Sequence, residues 1–163
     1  MTAGDVFHLL SLQQERPSIP SIKILDSDVT ITGGSGNVTV TALSNFLMQP
    51  NRNYAWLYYL LIDEFYVRTT GVGEVALALP GTPTYIYNSY HFPDAGVNDA
   101  TNANNAAIGA TQDGAISTLW GARVTGFGKT PTAGLTTLTA IDNGSNTWVL
   151  SAGSWAMMME VAA

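Results

Sequence analysis

Few side chains in this sequence could do acid–base, nucleophilic or metal chemistry, and their spacing decides what each could do. The imidazoles are His8 and His91, and there is no cysteine. His91 and Asp94 are the pair from which a Ser-His-Asp site would be assembled in space. The serines, however, lie in turns or strands and none sits in a Gly-x-Ser-x-Gly elbow, so His91, beside Phe92 and Pro93, reads as a residue packed at a strand end. The run Gly126-Phe127-Gly128-Lys129-Thr130 holds the Gly-Lys-Thr of a phosphate-binding loop. The first glycine of that motif would fall where Arg123 stands, and Pro131 and Gly134 follow where the phosphate-holding helix should begin. The segment therefore reads as a turn. Asp26-Ser27-Asp28 and the group Asp94, Asn98, Asp99 and Asn102 could offer oxygen ligands to Ca²⁺, but neither has the spacing or the glycine of a calcium loop. Both read as surface turns. Asp63 and Glu64 are adjacent, which on a strand sends them to opposite faces, a poor arrangement for a cooperating carboxylate pair. Asn37-Val38-Thr39 and Asn143-Gly144-Ser145 match the glycosylation sequon without a secretory signal to go with it. No catalytic residue, cofactor or metal ligand is expected, and an enzyme on a β scaffold is the least favoured class.

Composition points the same way. The 163 residues carry 6 Lys and Arg, 12 Asp and Glu and a net charge of −6, whereas Thr alone occurs 19 times. The basic residues Arg16, Lys23, Arg52, Arg68, Arg123 and Lys129 are dispersed singly. Phosphate recognition rests on clustered Lys and Arg, so no direct contact with nucleic acid or with an anionic membrane surface is expected. A chain of this length is most simply one domain, able to bury roughly 70% of its unfolded surface without disulfide or metal. The first residues have a short apolar core with Asp5 where a secretory peptide wants positive charge. No apolar run reaches the ~18 residues of a membrane span. Residues 1–19 read as an amphipathic or extended arm, or a frayed terminus, ahead of a domain over residues 20–163.

The dominant pattern is a two-residue period. Val29-Thr30-Ile31-Thr32 and Val38-Thr39-Val40-Thr41 alternate apolar with Thr around Gly33-Gly34-Ser35-Gly36-Asn37, which predicts a hairpin. Short strands are also predicted over 22–25, 54–68, 74–79, 83–90, 116–127, 135–141, 147–150 and 155–161. Turn chemistry separates them at Pro80-Gly81-Thr82-Pro83, Gly126-Phe127-Gly128, Asp142-Asn143-Gly144-Ser145 and Ala152-Gly153. Residues 93–114 read as a long loop, functional or mobile. Eight or more strands without alternating helices predict an all-β antiparallel sandwich, with a single jelly roll as its leading form.

Two of these strands are apolar on both sides. Tyr54, Trp56, Tyr58, Leu60 and Ile62 alternate with Ala55, Leu57, Tyr59 and Leu61, a pattern that a buried helix could also give. Trp155, Met157, Met159 and Val161 alternate with Ala156, Met158 and Glu160. Core filling is the common explanation for such methionines, but two doubly apolar strands need a second cover. Self-association supplies one, with Phe7, Leu9 and Leu10 of the arm and Tyr54, Trp56, Tyr58, Trp155, Met157 and Met159 as interface residues.

At the level of class, the abundant Thr, Asn, Gly and aromatics, the few charges and the arm make the chain similar to small viral β-sandwich coat and decoration proteins. That resemblance implies a capsid subunit or decoration protein located in the virion, partnered by copies of itself and other capsid proteins. With Arg16 as the arm's one basic residue, it implies an outer position on a DNA virus, such as a bacteriophage, away from the genome. The alternative is a carbohydrate- or receptor-binding module using Trp56, Trp120, Trp148, Trp155 and the tyrosines as stacking platforms.

Overall fold

β-Branched and aromatic residues at every second position favour pleated strands, and the described residues build antiparallel sheets with a short 3-10 turn at Thr41–Leu43. The computed structural model describes residues 19–32, 36–63, 65–67, 72–92, 97–106, 108–111, 114–116, 120–142 and 147–161. The expected arm over residues 1–19 lies outside them except for Ile19.

The large sheet runs in the order β1 (Ser21–Ile24), β16 (Trp155–Val161), β5 (Asn53–Asp63), β12 (Trp120–Lys129), β8 (Tyr85–Phe92) and β9 (Val97–Thr101). Beyond the end of β16, β15 (Thr147–Leu150) joins β5, and β2 (Val29–Thr32) joins β15. A smaller sheet runs β10 (Ile108–Thr111), β7 (Val72–Ala78), β14 (Thr137–Asp142) and β3 (Gly36–Thr39). Two short ribbons complete the set among the described residues, β4 (Leu47–Met48) with β13 (Gly134–Leu135) and β6 (Phe65–Val67) with β11 (Gly114–Ile116). Among the described residues every pairing is antiparallel.

The two sheets share one buried cluster. The large sheet contributes Ile31, Tyr54, Trp56, Tyr58, Leu60, Ile62, Tyr90, Val124 and Leu150, and the smaller one Val75, Leu77, Leu138 and Ala140. This is the antiparallel all-β sandwich that the alternation predicts. The strand order does not by itself confirm a jelly-roll winding.

Three local expectations need correction. The Thr-alternating runs do not form a hairpin: β2 pairs with β15 in the large sheet and β3 with β14 in the smaller one. Alternation marks a strand with one buried face but not its partner, and here the Gly-rich connector joins strands of different sheets. Gly126 and Gly128 lie inside β12 rather than in a turn, because Phe127 between them keeps the ladder with β5 and β8 in register. Residues 93–114 contain β9 and β10, whose Asn- and Ala-rich sequences hide strands that draw their order from the neighbours they pair with.

Polar side chains tie the layers where backbone pairing stops. Ser44, buried, donates from Oγ to the Val40 carbonyl at 2.8 Å and accepts the Leu138 N–H at 2.8 Å. Asn104 performs the same service beyond the end of β7: its Oδ1 accepts the Leu79 N–H at 2.8 Å, and its Nδ2 donates to the Leu79 and Gly81 carbonyls at 3.2 Å. Each replaces a missing strand neighbour and satisfies backbone groups that would otherwise need water.

Candidate functional site

The register of the large sheet lines up its side chains in rows, and one row explains the glycines of β12. Trp56 of β5, Gly126 of β12 and Asn88 of β8 stand side by side on the inward face. Because Gly126 has no side chain, the indole reaches over β12 and its Nε1 donates to Asn88 Oδ1 at 2.9 Å. A Cβ at Gly126 would stand 2.5 Å from that Nε1, 2.7 Å from Asn88 Oδ1 and 2.3 Å from the Tyr87 carbonyl. Gly128 makes room for the far edge of the same indole. The apparent Gly-Lys-Thr motif is therefore a packing device: Thr130 is buried and donates to the Pro80 carbonyl at 2.6 Å.

The opposite, outward face of the sheet is also apolar. Its rows run Ile24, Trp155, Tyr59, Arg123 and His91, then Ile22, Met157, Leu57, Thr125 and Ser89, then Met159, Ala55, Phe127 and Tyr87. Ile22, Ile24 and Phe127 are 63%, 57% and 51% exposed, and Tyr59, Tyr85 and Tyr87 are exposed too. Trp155, Met157, Met159, Ala55, Leu57 and Leu61 are half-buried. Two stacked aromatic pairs stiffen the surface, Tyr59 with Trp155 at 6.2 Å and Tyr87 with Phe127 at 5.4 Å, and Tyr85 adjoins Phe127 at 6.2 Å. The Tyr85 hydroxyl donates to Asn53 Oδ1 at 2.7 Å, which fixes that ring. Arg123, exposed, and half-buried Lys129 are the charged side chains described on this face.

This arrangement corrects part of the expected interface. Tyr54, Trp56 and Tyr58 face the core and are buried, so they cannot meet a partner. Of the two apolar sides of β5, the bulkier set turned inward, where it fills more volume, and Ala55, Leu57, Tyr59 and Leu61 were left outside. Burial pushes the Tyr58 phenol well above the ordinary tyrosine range, an effect lessened by the nearby Thr136 side chain and reinforced by Tyr90. Trp155, Met157 and Met159 stand on the outward face. Phe7, Leu9 and Leu10 lie outside the described residues. The surface residues that sequence reasoning passed over are Ile22, Ile24, Phe127, Tyr85 and Tyr87. The signal was present in the alternation of β1 and β8, but which parity faces outward is set by the opposing sheet.

The other candidate chemical groups do not converge. His91 lies on the outward face beside Arg123, and Asp94 lies outside the described residues. Asn98 and Asp99 are successive residues of β9. Among the described residues, no group of three His, Asp or Glu side chains is placed to hold a metal ion, and no helix is long and apolar enough to cross a membrane.

No protein-family model matches the chain, and no curated protein matches it. Among solved structures it is similar to a bacterial lipoprotein from Bacteroides thetaiotaomicron, with 9% identity over 91% of this chain and 90% of that one and a TM-score of 0.27. It is also similar to the infectious bursal disease virus Gt strain structure, with 10% identity, a TM-score of 0.28 and coverage of 90% of this chain and 42% of that one. The VP2 subviral particle of infectious bursal disease virus gives 12% identity and a TM-score of 0.24, again over 42% of the viral chain. The chain thus spans about two fifths of the length of those viral chains. At such scores these likenesses carry no argument about function.

Proposed function

We propose that this protein is a non-enzymatic structural component of a viral particle, a capsid shell subunit or a capsid decoration protein, which acts by self-association or by docking onto a capsid lattice. The observation that carries the proposal is the apolar outward face of the large sheet. Uncovered apolar surface costs about 25 cal/mol per Å² relative to covered surface, and monomers seldom leave a patch beyond roughly 300–600 Å² in water. The sparse charge and Thr-, Asn- and Gly-rich composition suit a subunit that packs against uncharged neighbours. Its partners are then copies of itself and other capsid proteins, its place is the virion, and its net charge of −6 keeps it off the genome.

Sedimentation and negative-stain imaging of the purified full chain test the proposal. A large regular species, or binding to one, is expected; a monodisperse monomer across micromolar concentrations that docks on no particle overturns it.

The exposed aromatic group of Phe127, Tyr87 and Tyr85 favours a second reading, a carbohydrate- or receptor-binding module, since flat rings stack on sugar faces. Trp56 and Trp148 are buried and take no part. Calorimetric titration with a glycan panel separates the two: saturable heat that disappears in Phe127→Ala supports the module.

A further inference from the structure

We propose that the outward face of the large sheet is occupied by the same face of a second copy of this chain, around a twofold axis that passes between the faces over Leu57 and Met157. The inference rests on the self-association reading and names the partner of that surface. Leu57 and Met157 are register partners, flanked in their row by Ile22 and Thr125. On one side stand Trp155 and Tyr59, on the other Met159 and Ala55, so the middle of the face is apolar along β5 and β16 and turns polar towards β12 at Thr125.

Area favours a protein partner over a small ligand. Six large side chains here, Ile22, Ile24, Tyr59, Tyr85, Tyr87 and Phe127, are between 37% and 63% exposed. At about 200 Å² for a large side chain they offer roughly 600 Å². The half-buried Trp155, methionines and leucines bring the face close to the ~800 Å² per partner of a standard interface.

Chemistry favours a copy of the same chain. Homodimer interfaces are more apolar than other contacts and keep charge at the rim. Lys129 ends β12, away from the proposed centre, and Arg123 stands beside Tyr59 one row from it. Antiparallel sheet faces also stack on one another about 10 Å apart with little shape adjustment. The stacked pairs Tyr59–Trp155 and Tyr87–Phe127 give each copy rigid aromatic anchors that lose little freedom on contact.

The chain has no cysteine, so one introduced thiol reports a single position. Leu57→Cys should be joined to a second chain by a short bismaleimide, whereas a thiol at exposed Ala42, on the 3-10 turn, should not. Leu57→Lys should weaken the self-association seen by analytical ultracentrifugation at least 100-fold while leaving the far-ultraviolet circular dichroism unchanged. Met157→Lys is the second variant should Leu57→Lys fail to fold. If the wild type assembles, but neither lysine variant disrupts it and position 57 does not cross-link, the face assignment is overturned and the structural-subunit proposal stands. If the wild type is a monomer that docks on no particle, both fall. If a Leu10→Cys/Leu57→Cys double variant cross-links within one monomeric chain, the N-terminal segment covers the face and the second-copy assignment is overturned.

Discussion

The hydrogen bond from Trp56 to Asn88 depends on a residue that contributes no side chain to it. With Gly126 between them, two large polar groups meet inside the sandwich; with any other residue there, neither the indole nor the amide keeps its place. Gly126→Ala should therefore cost about 2–3 kcal/mol, as overpacking of a core commonly does. Urea denaturation monitored by circular dichroism checks this, with Gly121→Ala as the comparison, since a Cβ there would meet the exposed phenol end of Tyr59 rather than backbone and a buried hydrogen bond. Tyr58 makes a second residue-scale prediction. Its phenol is held protonated by burial, so below pH ~10 folded and unfolded chains carry the same proton and it adds no pH dependence. Above pH ~10 the unfolded chain ionises at Tyr58 first, and stability should fall with a slope of up to about 1.4 kcal/mol per pH unit. Tyr58→Phe should remove that part of the alkaline decline. Neither effect is visible in the sequence alone: Gly126 reads as part of a turn, and Tyr58 as an interface residue, because both roles depend on which strand lies alongside.

The elements themselves were largely legible. The runs over 147–150 and 155–161 coincide with β15 and β16, and the doubly apolar run from Tyr54 is the long central strand β5. Period two is a local property of the chain, so it survives without knowledge of partners. Pairing is not local, and that is where reading failed: β2 and β3 look like a hairpin and belong to different sheets. Strands poor in apolar residues, such as β9, were missed because neighbours rather than composition hold them straight. Stapling side chains follow the same logic. Ser44 and Asn104 look like ordinary turn residues, yet each stands in for a strand. Ser44→Ala strips the buried Leu138 N–H of its acceptor and should cost about 1–3 kcal/mol. Asn104→Ala should instead act locally, with faster amide hydrogen exchange at Leu79 and little change elsewhere.

For the whole molecule, the governing fact is an imbalance between surface and solvent. One side of β5 closes the core and the other continues the apolar surface across β1, β16, β12 and β8. The candidate surface was half legible: Trp155, Met157 and Met159 came from alternation, but the inward turn of Tyr54, Trp56 and Tyr58 needed the opposing sheet to decide it. Association through such a face should resist salt. Raising NaCl from 0.1 to 1 M screens charges that contribute little here, so the sedimenting species should persist, and ammonium sulfate should strengthen it. Dissociation by 1 M NaCl would instead point to charged contacts elsewhere on the chain.

The stacking of Trp155 on Tyr59 also gives the protein an optical gauge. Trp56 and Trp148 are sealed inside, whereas Trp155 still touches water. Iodide should dim its emission in dilute samples. As that water is expelled, its emission should shift to the blue and the quencher should lose its grip, reporting in real time how far the chain has hidden its outer side.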